Sequence, residues 1–292
     1  MPVPNDPETV RKQYANDEKL RVRQEIHATY TIPKIDYNEW VLDSVKWRGD
    51  ERVLDIGSGS GIYFEPLQRR VPNLHYTGID LSPGMLGKHP GQGTVSVADA
   101  QQLPFADDSF DVLMANHMMY HLKDIDEAIV EFRRVLRPDG LLMVATNSVQ
   151  TMPELQVLMR RAILLLTRSG GTQVKPPTPA SNLFALENGC RQLARHFYAV
   201  MRNDLPSKLV FPEIDPLMQY LESTRPLREP QLPDDVNWDD VMMIMQQQVT
   251  HLVNHLGELV INKLAGVLLA TDRGDFIERF VEISDPLQTS AD

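Results

Sequence analysis

The sequence predicts an α/β fold with a doubly wound, mostly parallel sheet, and three observations predict it. Between residues 51 and 146, short β-type runs alternate with helical patterns, the arrangement that builds a parallel sheet with helices on both faces. The first run ends in a glycine-rich turn, Gly57-Ser58-Gly59-Ser60-Gly61. The second ends in a carboxylate, Asp80, about 20 residues past the glycines, where a nucleoside-binding sheet places an acid.

Taken in order, residues 1–48 read as helical and polar, broken at Pro33, with Tyr14, Tyr30, Tyr37 and Trp40 interleaved with charge. Strands follow at 51–56, 74–79, 94–98, 110–115 and 141–146, with helices at 63–71, 83–88 and 125–136 between them. Arg137-Pro138-Asp139-Gly140 is a turn by composition. Past residue 147 the pattern changes. Helices are expected at 153–167 and 182–196, separated by a Gly/Pro/Thr-rich loop at 169–181. Strands at 197–202 and 208–211 precede a short helix at 215–223 and a proline-rich connector at 225–234. A long helix at 237–256 carries Met242, Met243 and Met245, which suit a core or the ceiling of a pocket. Strands at 258–261 and 267–271 read as a hairpin around 263–266, and 275–283 as a last helix.

With 42% hydrophobic residues, a chain of 292 residues can bury a large core. The formal charge is −11, with no basic stripe, which disfavours nucleic acid and anionic membrane as partners. The single cysteine, Cys190, excludes an internal disulfide and a cysteine-based zinc site, and no ligand cluster for a metal stands out. Residues 1–7 lack the features of a signal peptide and no apolar run reaches membrane length. A cytoplasmic monomer or homodimer is expected.

The glycine turn carries the functional argument. Glycines let the chain bend sharply and let a ligand approach the backbone. A dinucleotide fingerprint, G-x-G-x-x-G/A, fails here because Ile62 stands at its third position. Instead the spacing is G-x-G-x-G, with Asp55 two residues ahead. That carboxylate repels a pyrophosphate and attracts an ammonium or a sulfonium. The pattern from Asp55 to Gly61 resembles the first motif of class I S-adenosylmethionine-dependent methyltransferases. Further pieces are similar in order and spacing: Asp80-Leu81-Ser82-Pro83-Gly84-Met85-Leu86, the run from Val97 to Phe105, the run from Asn116 to Leu122, and the run from Glu131 to Leu142. They cover residues 51–146; the segments 197–223 and 258–271 resemble the small-molecule branch of the family more loosely.

The resemblance implies a Rossmann-like sheet of seven strands with an antiparallel end and a helical cap. It implies a single domain over 1–292, its core at 41–148 completed by 197–223 and 258–272, and a cap drawn from 1–40, 150–196 and 225–256. S-adenosylmethionine is the implied cofactor and S-adenosylhomocysteine the product. Its implied binding set is Asp55, Gly57, Ser58, Gly59 and Gly61 at the tail, Asp80 at the ribose, Met85, Asp99 and Ala100 at the adenine, with Leu81, Asn116, Tyr14 and Tyr30. Plainer readings stand beside these. The glycines can be turn residues only, Asp55 and Asp80 can cap helices, and Asp99 can be a surface residue. His117 and His121, four apart after the fourth strand, either supply a general base or simply pack beside the cofactor's tail. The implied acceptor is a small, partly apolar molecule. Rival readings are an NAD(P) oxidoreductase and a non-catalytic S-adenosylmethionine-binding protein.

Overall fold

The computed structural model describes residues 18–167 and 175–273; Tyr14 and the helix expected at 275–283 lie outside them. The strands are β1 (Thr31–Ile32), β2 (Arg52–Ile56), β3 (His75–Asp80), β4 (Val95–Val97), β5 (Phe110–Met114), β6 (Leu136–Asn147), β7 (Ala199–Phe211) and β8 (Leu259–Thr271). They form one sheet in the order β1-β7-β8-β6-β5-β2-β3-β4. Pairs from β4 to β6 are parallel, and β8, β7 and β1 add an antiparallel end. The two-residue β1 is an eighth strand beyond the expected seven.

Side-chain alternation explains why the middle strands read as unbroken apolar runs. Leu54, Leu113, Leu142 and Leu268 face one buried cluster, with α5 (Ile125–Val135) over it. Their neighbours Val53, Val112, Met143 and Val267 face another, covered by α2 (Tyr37–Asp43) and α3 (Phe64–Arg70). A sheet covered on both faces needs apolar residues at both parities. Phe132 of α5 is wholly buried, and Asp124 starts that helix by accepting from Glu127 N at 3.0 Å. A short helix α4 (Pro83–Leu86) follows β3.

A third apolar cluster makes the cap. It joins α1 (Glu18–Tyr30), α6 (Pro153–Leu166), α8 (Asp215–Ser223) and α10 (Trp238–Leu256) to the far ends of β7 and β8, through Leu209, Phe211, Leu259 and Ile261. The second expected helix of this region is shorter, α7 at Leu186–Leu193, after a 3-10 turn at Ala180–Leu183. The connector at 225–234 coils into α9 (Arg225–Arg228) and a further 3-10 turn.

Three expectations need correction here. No hairpin turns at 263–266, because β8 runs unbroken through it. Nor do 197–202 and 208–211 form separate strands, because β7 is continuous and pairs with β8 from Ala199↔Thr271 to Phe211↔Leu259. The polar residues that imitate loops fall on both faces of two long strands crossing from sheet to cap, Arg202, Lys208 and Asn262 exposed and Ser207 and Lys263 on the cavity side. Gly266 is needed for contact, not for turning: a Cβ there would lie 2.4 Å from Asn203 O. Finally, Arg137–Gly140 is no free turn but a bulge inside β6. Its register jumps from Phe110↔Leu136 to Val112↔Leu141, so extra residues are looped out within a paired strand.

Candidate active site

Strand order reverses beside β2, between β3 and β5, the place where a doubly wound sheet opens a crevice at its strand ends. The glycine turn leaves β2 there. Gly57, Gly59 and Gly61 have φ of +70°, +57° and +79°, a region closed to most side chains. Gly57 N and Ser58 N both donate to Ile79 O, at 2.8 and 2.9 Å, so the turn is docked on β3. Asp80 fixes the next step: its carboxylate accepts from Gly59 N at 3.0 Å and from Ser82 N at 2.8 Å.

Asp55 lies beneath this turn, 2% exposed. Tyr76 Oη donates to Asp55 Oδ2 at 2.9 Å. Behind Tyr76 stands His89, with Nε2 3.0 Å from the phenol oxygen. Gly91 N donates to His89 Nδ1 at 2.9 Å, so the proton is on Nε2 and the chain runs His89 to Tyr76 to Asp55. Burial outweighs the phenol's hydrogen bond, and the nearby Asp80 charge adds to it, pushing the Asp55 carboxyl up from 3.8 to about 7. Burial also raises Asp80.

The turn opens into a cavity of about 960 Å³ that runs on beneath the cap. Its sheet-side wall includes Asp55, Gly57, Ser58, Gly59, Asp80 and Leu81, continuing through Met85, Asp99 and Ala100. Asn116, after β5, accepts from Ala145 N at 2.9 Å through Oδ1, while its buried Nδ2 has no partner among the described residues. An orphaned amide donor beside a glycine cradle and two carboxylates suits a ligand bearing acceptors, hydroxyls and a cation. His117 and His121 also line the cavity. His117 sits at φ +54° and only Met119–His121 is helical, as a 3-10 turn, so no α-helical face joins the two rings. His117 Nε2 lies 3.1 Å from Tyr37 Oη. Burial, and then the Lys263 charge, lower His117 to about 4; burial, and then the Arg23 and His117 charges, lower His121 to about 3. Both rings are neutral at pH 7.

Residues 54–144 match a family model described as a methyltransferase domain. Over that stretch, about a third of the chain, the sequence is similar to a methyltransferase domain. Malonyl-[acyl-carrier protein] O-methyltransferase of Laribacter hongkongensis is 39% identical over 119 residues, 36% of this chain and 40% of that protein. The ubiquinone/menaquinone biosynthesis C-methyltransferase UbiE of Paracoccus denitrificans is 34% identical over 134 residues, 42% of this chain and 54% of that protein. The chain thus spans about half the length of these curated relatives. The fold extends further. The YcgJ protein of Bacillus subtilis superposes with a TM-score of 0.52 at 19% identity, over 81% of this chain and 98% of that one.

Two predicted residues are not at the cavity. Gly61 does not line it; a Cβ there would sit 2.6 Å from the His89 ring and 2.7 Å from Pro90, so its conformation and packing demand glycine. Tyr30 packs its ring on Phe211, centroids 5.0 Å apart, within the cap cluster. Of the α10 methionines, Met245 is buried in the cap core and Met243 is half exposed; neither lines the cavity. Sequence reading missed the Tyr76–His89 relay, which no local pattern signals. It expected a helix before Pro33 but gave none of the α1 residues on the cavity wall a role, although Leu20, Arg23, Gln24, His27 and Ala28 recur there at helical spacing. A second hollow at the opposite end of the strands is an open charged trough, in which Asp111 is already paired with Arg137 at 2.7 Å and Arg48 at 3.2 Å. Among the described residues no three His, Cys, Asp or Glu side chains cluster as metal ligands, and no helix is long and apolar enough to cross a membrane.

Proposed function

We propose that this protein transfers the methyl group of S-adenosylmethionine to a small-molecule acceptor held under the cap. The observation that carries this reading is the continuity of one cavity, from the glycine turn between Asp55 and Asp80 to the cap. The curated relatives, named for O- and C-methyl transfer, support the reaction class.

The bound cofactor supplies a methyl group already activated by a sulfonium. The chain's own residues then have to bind, align and exclude water. Asp55, once ionised, meets the cationic tail. Gly57, Ser58 and Gly59 give it a backbone floor. Asp80 keeps lone pairs for the ribose hydroxyls after its two backbone contacts. Leu81, Met85, Asp99 and Ala100 border the base, and Asn116 Nδ2 offers a donor to the tail. His117 is held by Tyr37, which leaves Nδ1 as its free base site; with His121 it takes the proton of an acidic acceptor group. Imidazoles lowered to about 3 and 4 are weak bases, so the gain from them is modest unless an anion beside them raises their pKa.

Calorimetric titration with S-adenosylhomocysteine and, in parallel, with NADH and NADPH tests the reading. One-site binding of the first alone is expected. Binding of the reduced nicotinamides instead would overturn it.

A further inference from the structure

Most of the cavity's charges are segregated. Asp55, Asp80 and Asp99 lie on the strand-end side, whereas Arg23, Arg228 and Lys263 line it from the cap side. Two further wall charges are held by backbone, Lys34 on the Ala28 and Thr29 carbonyls and Asp36 by the Asn38 and Glu39 amides of the α2 start. None of the three cations has a carboxylate partner among the described residues. Arg23 donates to the Ser223 carbonyl at 3.1 Å. Lys263 Nζ reaches Thr31 Oγ1 at 3.2 Å. Arg228, 8% exposed, finds only Met159 Sδ among the described residues, at 3.3 Å. An arginine stays ionised wherever it is placed, and a buried cation without a counter-charge is costly.

The three cations form one electrostatic group. His27 feels Lys263 and Arg23, and Tyr220 feels Arg228 and Arg23. The topology shows why they face inward. Arg23 belongs to the polar stripe that α1 turns to the cavity, the reverse of an ordinary amphipathic helix. Lys263 stands directly opposite Ser207, and Ala265 opposite Leu205, so one parity of the β7–β8 ladder forms that wall.

We propose that the acceptor carries an anionic group, a carboxylate or a phosphate, and that Arg23, Arg228 and Lys263 hold it beneath the cap. This rests on the methyl-transfer reading above. The cofactor has one carboxylate of its own, which neutralises at most one of the three. Burial is the main cause that holds His117 and His121 low; the bound anion would offset the Lys263 and Arg23 charges that add to it, raising their basicity when the acceptor is in place.

The test uses full-length protein saturated with S-adenosylhomocysteine, so the cofactor's carboxylate is already seated. Inorganic phosphate, benzoate and the neutral benzamide are titrated by calorimetry. Saturable binding of phosphate or benzoate is expected, with benzamide weaker by at least about tenfold. Whichever anion binds more tightly identifies the group. The double variant Arg228→Met/Lys263→Met should lose at least about tenfold in anion affinity and less than about twofold in S-adenosylhomocysteine affinity. Lys263→Met alone serves should the double variant not fold. Benzamide binding as tightly as benzoate, unchanged anion affinity in the variant, or anion binding only without S-adenosylhomocysteine would each overturn the inference and leave methyl transfer standing. Failure of S-adenosylhomocysteine itself to bind would remove the methyl-transfer reading, and this inference with it.

Discussion

Asp55→Asn should stabilise the protein above neutral pH while weakening cofactor binding. The carboxyl is buried, and its pKa rises from 3.8 to about 7 on folding. A raised acid is favoured while protonated, so its contribution is intact below about pH 4, where both states hold the proton, and is lost as pH climbs to about 7. At about 1.4 kcal/mol per pH unit, the whole loss comes to about 4 kcal/mol. Asparagine carries no charge to bury, and its carbonyl can still accept from Tyr76. Urea unfolding of both proteins at pH 5, 6 and 7 isolates this group, since other titrations cancel in the difference. The variant's advantage should grow by about 2–3 kcal/mol over that range. In parallel, S-adenosylhomocysteine affinity of the wild type should rise with pH up to about 7, because its ammonium favours ionised Asp55, while the variant's affinity stays lower and flatter. A stability difference that does not change between pH 5 and 7 would refute the buried, proton-holding carboxyl and the argument built on it.

Tyr76→Phe removes the phenol donor to Asp55; cofactor affinity should fall by about ten- to hundredfold, as a lost hydrogen bond to a charged group implies, with its pH dependence displaced upward in titration calorimetry. Gly61→Ala places a Cβ 2.6 Å from His89 at φ +79° and should cost at least about 1–3 kcal/mol of stability in urea; an unperturbed midpoint would contradict the packing role. His117→Ala and His121→Ala, assayed across pH with a turned-over acceptor, should each slow the reaction and alter the pH–rate profile, by about 10²-fold where a full general base is removed. Identical rates and profiles in both would leave these rings with packing alone.

Much of the core was legible from local chemistry. Parallel strands buried on both faces produce apolar runs wherever they occur, so β2, β3, β5 and the central part of β6 stand out in the sequence. The turn from Gly57 to Gly61 is equally local, since positive φ selects glycine residue by residue. The expected helix at 125–136 coincides closely with α5 because the Asp124 cap and its apolar spacing are short-range properties. Gly61 shows the limit of that reasoning: the sequence shows that glycine is wanted, but only the approach of His89, 28 positions away in the chain, shows why.

By itself, then, the sequence determined the sheet's parallel half, the glycine cradle and its flanking carboxylates, and with them the class of ligand. Tertiary structure decided the rest. Whether the polar middle of 199–211 and 259–271 is loop or ladder depends on each strand finding the other. Whether a lysine or arginine faces water or a cavity depends on what packs around it, as Lys263 and Arg228 show. Hydrogen-bond relays such as His89–Tyr76–Asp55 join residues that share no local pattern. Local propensity acts over a few residues, whereas burial and electrostatic environment are set by contacts distant in the chain; the acceptor side of this cavity is built almost wholly from the second kind.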